Sequence, residues 1–110
     1  LWSQVIKIYP ERTYLAYYNR ARTYQEQEMS DEALEDYTTA IRLRPSYKDS
    51  YLNRGVVLGK LGKMDAAISD FNTVLRLDPF DIDAHTNLAT AYSILGDNER
   101  AAFYMERARK

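Results

Sequence analysis

Few side chains in this sequence could carry out catalysis, and the first to consider is His85. It is the only histidine among 110 residues, and there is no cysteine. A zinc or similar metal site needs several converging histidine, cysteine or carboxylate ligands. The sequence also contains no nucleophile motif and no Gly-rich phosphate loop. We therefore expect no catalytic residue, no metal ligand, no cofactor and no enzyme activity.

Hydrogen bonding by regularly spaced amides is the second chemistry that the sequence offers. Asn19, Asn53 and Asn87 recur at intervals of 34 residues. Each amide has a donor and an acceptor, so a row of them can pair with the N–H and C=O groups of an extended chain of any sequence. The alternative is that each amide makes only local hydrogen bonds or is satisfied by water.

The elements that must position these asparagines repeat at the same interval. Apolar residues spaced i, i+3, i+4 and i+7 predict amphipathic helices over about 14–27, 31–44, 48–61, 65–77, 82–95 and 98 to the end. Ser30 is a natural N-cap for the second helix, and Gly62 and Gly96 are expected to end the third and fifth in the left-handed conformation. Pro45 and Pro79 separate successive helix pairs. No segment shows the alternation of a strand.

These repeats resemble the tetratricopeptide repeat family, whose unit is a 34-residue helix–turn–helix with a W-x2-L-G-x2-Y, A-x3-F, A-x4-P pattern. The middle repeat reads YLNRGVVLGKLGKMDAAISDFNTVLRLDP, with Tyr51 in the large aromatic position, Gly55 in the small one, and Ala67 and Phe71 in the second helix. The resemblance implies an all-α fold, a right-handed superhelical solenoid of antiparallel helix-turn-helix hairpins. His85 occupies the position of Tyr51, so we interpret it as a packing residue.

The resemblance also predicts how the chain is divided. We predict one array over residues 1–110, with repeats at 14–47 and 48–81 and a truncated third repeat at 82–110. Residues 1–10 match the second half of a preceding repeat, because Trp2 stands at the spacing of Tyr37 and Phe71. Trp2 should then pack near Tyr17 and Ala21. We interpret the sequence as a fragment of a longer repeat protein with apolar repeat ends left open.

In this family the first helices of successive hairpins line a concave groove that holds a peptide. The resemblance therefore implies a protein–protein interaction module that binds a partner segment there. The groove residues would be Tyr18, Asn19, Arg22, Leu52, Asn53, Val56, Thr86, Asn87 and Thr90. The asparagines resemble the ladder in the repeats of O-linked N-acetylglucosamine transferases. Among the tyrosines, Tyr18 is expected to be exposed and to point into the groove, and Asn53 to matter most because it is central.

One ligand of the family is excluded by the residues at its binding positions. Members that bind the acidic C-termini of heat-shock chaperones use two lysines, an arginine and two asparagines. The residues at the matching positions here are Tyr18, Arg22, Asn53, Asp83 and Asn87. Asp83 replaces a lysine that should meet a carboxylate, so repulsion and a missing charge-assisted contact argue against that ligand.

Two arginines depart from the family pattern, because Arg20 and Arg54 stand where leucine is expected. Each is followed 16 residues later by an aspartate of the second helix. In the third repeat Leu88 and Tyr104 take these places, so both charges are lost together. We predict ion pairs within the hairpin, with each arginine stem packed on apolar neighbours. The pairs would be Arg20–Asp36 and Arg54–Asp70.

Charge and hydropathy restrict the classes of partner. The net charge is -1, with both signs mixed along the sequence, which argues against nucleic acid and anionic membranes. No apolar run approaches the roughly 18 residues of a transmembrane helix, so direct membrane insertion is not expected. Two alternatives to a peptide-binding module stay open. One is an appendage of a larger enzyme, for example a glycosyltransferase, that positions substrate or subunits. The other is a self-association module that uses open repeat ends. The compartment is left unknown.

Overall fold

The computed structural model of the chain describes residues 12–109. Over this range the chain forms six α-helices and no strand. These are α1 (Thr13–Glu26), α2 (Ser30–Leu43), α3 (Lys48–Lys60), α4 (Met64–Leu77), α5 (Ile82–Ile94) and α6 (Asn98–Ala108). The first five lie within one residue of the predicted bounds. The predicted half-helix over residues 1–10, with Trp2, lies outside the described residues.

The six helices form three stacked hairpins, α1–α2, α3–α4 and α5–α6, and this confirms the all-α solenoid. The most extensive packing is within each hairpin, and α2 packs on α3 as α4 packs on α5. The first helices also touch one another, α1 with α3 and α3 with α5, whereas no comparable contact joins the second helices of the described hairpins. The first helices therefore line the inner side of the stack, which we call the groove face.

Each hairpin is held by a small residue of the first helix that lies against a large one of the second. A Cβ added to Gly55 would lie only 2.5 Å from Cε1 of Phe71, so the backbone of α3 approaches this ring more closely than any other residue type allows. Ala21 takes the same position opposite Tyr37 in the first hairpin, and both are completely buried. The predicted small and large positions are confirmed.

The second residue after the first helix of each hairpin has positive φ. Gly62 and Gly96 have φ of 79° and 81°, as expected for left-handed C′ residues. The N–H of Lys63 donates to the carbonyl of Leu58 at 2.9 Å and closes the helix end. Glu28 occupies the same position in the first hairpin with φ of 58°. A side chain in this conformation costs free energy, because Cβ crowds the following carbonyl oxygen.

The predicted N-cap of α2 is wrong. Ser30 is the first residue of the helix, Met29 precedes it at the N-cap position, and no side chain caps this end. Side-chain caps are found instead at the third hairpin. The carboxylate of Asp81 accepts from the N–H of Ala84 at 2.9 Å and so caps α5, and Asp97 caps α6 in the same way. Serine hydroxyl and aspartate carboxylate are comparable caps, so residue type alone did not decide between them.

The two predicted ion pairs are present and bidentate. The Nε and Nη2 atoms of Arg20 lie 2.6 and 2.8 Å from the carboxylate oxygens of Asp36, and both corresponding distances are 2.8 Å for Arg54 and Asp70. Both aspartates are buried. The Arg20 guanidinium also lies over the ring of Tyr17. Each pair joins the two helices of one hairpin. Because its two hydrogen bonds are parallel, the pair fixes both the distance and the orientation between the arginine and the aspartate.

The third hairpin exposes large apolar side chains. Ile94, Leu95, Phe103 and Met105 have 66%, 52%, 47% and 40% of their surfaces exposed. Met105 stands where the other hairpins have Tyr37 and Phe71, which are buried. Those two are covered by the hairpin that follows them, and residues 12–109 place no hairpin against α6.

Replacing Glu28 with glycine should stabilise the protein. Glycine relieves the left-handed conformation, so we expect the free energy of unfolding to rise by about 1 kcal/mol and the melting temperature by about 4–8 °C. Thermal and urea unfolding measure both. Glu28→Gln removes the same charge without changing the backbone preference and should give no gain. An equal gain in the two variants would show that charge, not φ, is responsible.

Arg54 and Asp70 should be energetically coupled. In a double-mutant cycle of Arg54→Ala and Asp70→Ala, we expect a coupling free energy of about 0.5–1.5 kcal/mol. The variant Arg54→Leu/Asp70→Tyr copies the residues of the third hairpin and should be more stable than either Arg54→Leu or Asp70→Tyr alone, since neither buried charge is then left unpaired. Additive effects in the alanine cycle would rule out a stabilising pair.

Candidate functional site

Two adjoining cavities open on the groove face, one at each junction between hairpins. The cavity between the first and second hairpins has a volume of about 290 Å³, and we call it the polar cavity. Its lining residues are Arg22, Gln25, Glu26, Asn53 and Lys60. Three of these five side chains carry charge, two positive and one negative. The predicted groove residues Arg22 and Asn53 are among them.

The cavity between the second and third hairpins is of similar size but opposite character. Its volume is about 300 Å³, and we call it the apolar cavity. Its apolar wall includes Gly55, Val56, Gly59, Phe71, Ala91 and Ile94, and its polar groups come from Lys60, Asn87 and Thr90. The structure therefore brings the predicted groove residues Val56, Asn87 and Thr90 together in one cavity.

One pair of side chains contributes to the difference in polarity between the cavities. In the first hairpin the hydroxyl of Tyr37 donates to Oε1 of Gln25, and the Gln25 side chain gives the cavity a polar wall. In the second hairpin the corresponding residues are Phe71 and Gly59. Phenylalanine has no hydroxyl and glycine no side chain, so a space with apolar walls is left. A Cβ on Gly59 would have only one neighbour within 4 Å, the Cβ of Ala67 at 4.0 Å.

The prediction that Tyr18 is exposed in the groove is wrong. Only 7% of its surface is exposed, and its ring packs against those of Tyr37 and Tyr47 at centroid distances of 5.9 and 5.2 Å. Burial also raises the pKa of its phenol. The second hairpin stacks against this ring, so a residue that is exposed on an isolated helix becomes part of the core.

The three asparagines are not equivalent. Nδ2 of Asn53 donates to the hydroxyl of Tyr18 at 2.9 Å, so the central amide makes the local hydrogen bond that was the alternative to ligand binding. The side-chain amides of Asn19 and Asn87 are half-buried and make no hydrogen bond within residues 12–109. Asn87 lines the apolar cavity, whereas Asn19 lines neither of the two.

Leu52 and Thr86 are the remaining predicted groove residues, and the structure places neither in a cavity wall. Leu52 packs on the core cluster formed by Ala67, Phe71 and Leu88, so at least part of its side chain serves hairpin packing. Thr86 is half-buried on α5, where its backbone carbonyl accepts from the hydroxyl of Thr90 at 3.1 Å.

His85 is a buried residue, as predicted. Its Nε2 atom lies 2.9 Å from the carbonyl oxygen of Pro79, which repeats the 3.0 Å hydrogen bond from the Tyr51 hydroxyl to the carbonyl of Pro45. A carbonyl only accepts, so Nε2 carries a proton. No group of three or more metal-ligating side chains converges anywhere in the described range. None of α1–α6 is long and apolar enough to cross a membrane.

Comparison with known proteins agrees with this geometry. A sequence profile described as the tetratricopeptide repeat matches residues 14–47 and 49–81, and a second profile of the same description matches residues 71–102. The chain belongs to the tetratricopeptide repeat family. No curated protein matches its sequence.

Three of the solved structures that superpose on this chain carry the name MamA. "Crystal structure of MamA" and "Crystal structure of MamA protein" superpose with TM-scores of 0.84 and 0.83 at 26% identity, over 86% of this chain and 56% and 52% of theirs. "MamA MSR-1 C2" superposes with a TM-score of 0.82 at 24% identity, over 98% and 62%. The chain thus spans about half to three-fifths of these structures. Family and neighbours support a protein-interaction scaffold of a typically non-catalytic kind.

Several cavity residues of this tetratricopeptide array were missed from the sequence. They are Gln25, Glu26, Gly55, Gly59, Lys60, Met64, Phe71, Ala91 and Ile94. Most lie one helical turn beyond the residues that the resemblance predicts for the groove. A signal was present, because the repeat that loses the tyrosine hydroxyl at Phe71 also loses the glutamine at Gly59. Two linked changes in one repeat indicate that a polar hydrogen-bonded pair is replaced by an apolar wall.

Alkaline pH should destabilise the protein through its buried phenols. Burial raises the pKa of Tyr37, like that of Tyr18, above the ordinary value of 10.0. Unfolded tyrosines ionise at about pH 10, while Tyr37 still holds its proton in the folded state. Its contribution to stability is therefore complete below about pH 10 and is lost as the pH rises towards the raised pKa.

Urea unfolding at a series of pH values checks this expectation. The free energy of unfolding should fall steeply above about pH 10, and Tyr37→Phe should make the fall shallower. The same variant at neutral pH is the control, because it isolates the loss of the hydrogen bond to Gln25. An unchanged slope in Tyr37→Phe would show that this phenol does not titrate differently in the folded and unfolded states.

Proposed function

We propose that the groove face binds an extended segment of a partner protein. The observation that carries this proposal is the amide of Asn87. It lies in the wall of a cavity open to solvent and has no hydrogen-bond partner within residues 12–109. A half-buried amide of this kind can donate to a peptide carbonyl and accept from a peptide N–H. Backbone pairing of this type gives affinity with little dependence on peptide sequence.

The groove face as a whole supports the same function. The polar and apolar cavities share Lys60 and so adjoin along the stack. A segment laid across α1, α3 and α5 would meet both, with Asn53 offering the oxygen and the second N–H that its bond to Tyr18 leaves free. Binding to a groove of three hairpins costs the flexible segment conformational entropy, and the short groove offers few contacts to offset it. We therefore expect a dissociation constant that is roughly micromolar or weaker.

Asn87→Ala should weaken peptide binding about three- to tenfold, the effect of losing a hydrogen bond to the ligand. The probes are peptides selected from an immobilised array of random extended sequences and titrated by fluorescence polarisation. Asn72→Ala is the matched control, because Asn72 lies on α4 and lines neither cavity. Asn53→Ala is expected to weaken binding as well. Its effect includes a loss of stability, since the hydroxyl of Tyr18 then loses its partner.

Failure of every peptide on the array to bind would overturn the proposal. Equal peptide affinity of wild type and Asn87→Ala would reject the role of the amide. Peptide binding would then depend on other groups of the groove. If no peptide binds and the mass of the chain rises with concentration in light scattering, self-association is the better reading. The exposed Ile94, Phe103 and Met105 are the residues that such association would bury.

A further inference from the structure

The two cavities occupy equivalent positions in successive repeats, so their difference is a change of chemistry at one structural position. Val56 and Gly59 stand where the polar cavity has Arg22 and Gln25. At the far rim, Ile94 takes the place of Lys60. Each of these three changes removes a polar or charged side chain. The backbone stays the same, and the surface offered to a ligand changes from polar to apolar in one repeat.

The apolar cavity is large enough to hold one large apolar side chain. Its volume of about 300 Å³ is at the lower limit of pockets that hold small ligands, and its walls are mainly apolar, as in such pockets. The ring of Phe71 forms its inner wall, and Gly59 leaves one side open. Ile94 on its rim is 66% exposed. An apolar cavity with an exposed apolar rim marks a site of interaction, since covering both removes apolar surface from water.

The charges beside this cavity favour a negative group next to the apolar side chain. Lys60 lines both cavities and forms no ion pair with any residue in the range 12–109. Arg22 in the polar cavity also has no ion pair there and lies near the face of the Tyr18 ring, 5.9 Å from its centroid. Glu26 is the one carboxylate in these walls. The polar cavity therefore has a net charge of +1, which complements a carboxylate.

We propose that the groove face selects a protein segment in which a large apolar residue lies two positions from an acidic one, so that both side chains point to the same face of the extended chain. The apolar side chain enters the apolar cavity between α3 and α5, and the carboxylate lies towards α1, beside Lys60 and Arg22. This inference rests on the proposed function, because it assumes that the groove holds an extended segment. It adds the orientation of that segment and the chemistry of two of its positions.

Selection from a displayed library of random peptides, with the 110-residue chain as bait, tests the proposal. We expect enriched sequences to carry Leu, Ile, Met or Phe two positions from Asp or Glu. Replacing the apolar residue of an enriched peptide with alanine should weaken binding about tenfold or more. Raising the salt concentration should also weaken binding of the unchanged peptide, since Lys60 is exposed and salt screens its attraction for the carboxylate.

The matched variant is Gly59→Gln/Phe71→Tyr, which places the Gln25–Tyr37 pair of the first hairpin in the second. The space beside Gly59 accepts a side chain, and the same pair already packs in this fold. The variant should keep its helical circular dichroism and lose the apolar preference in a repeated selection. Gly59→Ala fills less of the cavity and should have an intermediate effect. Lys60→Glu should replace the acidic preference with a basic one and leave the apolar preference in place.

The outcomes separate this inference from the proposed function. No enrichment with the wild-type chain would overturn both. Enrichment without an apolar preference, or with one that Gly59→Gln/Phe71→Tyr leaves unchanged, would overturn the inference and keep the groove as a peptide site. An apolar preference without an acidic residue two positions away, unaffected by Lys60→Glu, would reject the orientation and with it the proposal as stated.

Discussion

The close approach of paired helices at one small residue is the constraint on which the rest of this structure depends. Gly55 lies so near the ring of Phe71 that no Cβ can stand between them. Ala21 has the same role beside Tyr37. With that distance fixed, an arginine one residue earlier on the first helix reaches an aspartate on the second with both hydrogen bonds formed. The ion pair is thus a consequence of the distance between the helices. In addition, it fixes how the two helices are oriented.

The same spacing decides what happens on the groove face. The side chain four residues after the small one points into the junction between hairpins. Where it is Gln25, it satisfies the buried hydroxyl of Tyr37 and gives the cavity at the junction a polar wall. Where it is Gly59, the cavity is bounded by the apolar ring of Phe71. A solenoid can make such changes one repeat at a time, because each repeat contacts only its neighbours. The chemistry of the groove can therefore vary along the stack while the backbone stays constant.

Several polar side chains of this array are paired across repeats as well as within them. Asn53 of the second hairpin donates to Tyr18 of the first, and Lys48 lies within ion-pair distance of Asp78 and Asp81 at the start of the third. Removing Asn53 would leave the buried hydroxyl of Tyr18 desolvated and unsatisfied. These contacts therefore hold successive hairpins in one relative position. The helices that form the wall of the groove are held in place by the same contacts.

Most of the fold could be predicted from the sequence, because its causes are local and repeated. Helix periodicity, the glycines at 62 and 96 and the prolines between hairpins act within a few residues. Their repetition at 34-residue intervals predicts that the hairpins stack and which positions are equivalent in successive repeats. The arginine–aspartate pairs were predicted for the same reason, since both charges disappear together in the repeat with Leu88 and Tyr104.

Tertiary structure alone decided which side chains of the groove face are free. Tyr18 has the sequence position of a groove residue, but the second hairpin covers it and its hydroxyl binds Asn53. The cavity beside Gly59 depends on the ring of Phe71 and the rim of Ile94, which are 12 and 35 residues away in sequence. Periodicity assigns a residue to a face of its own helix. Exposure depends on the neighbouring helices, and their side chains meet only when the hairpins stack.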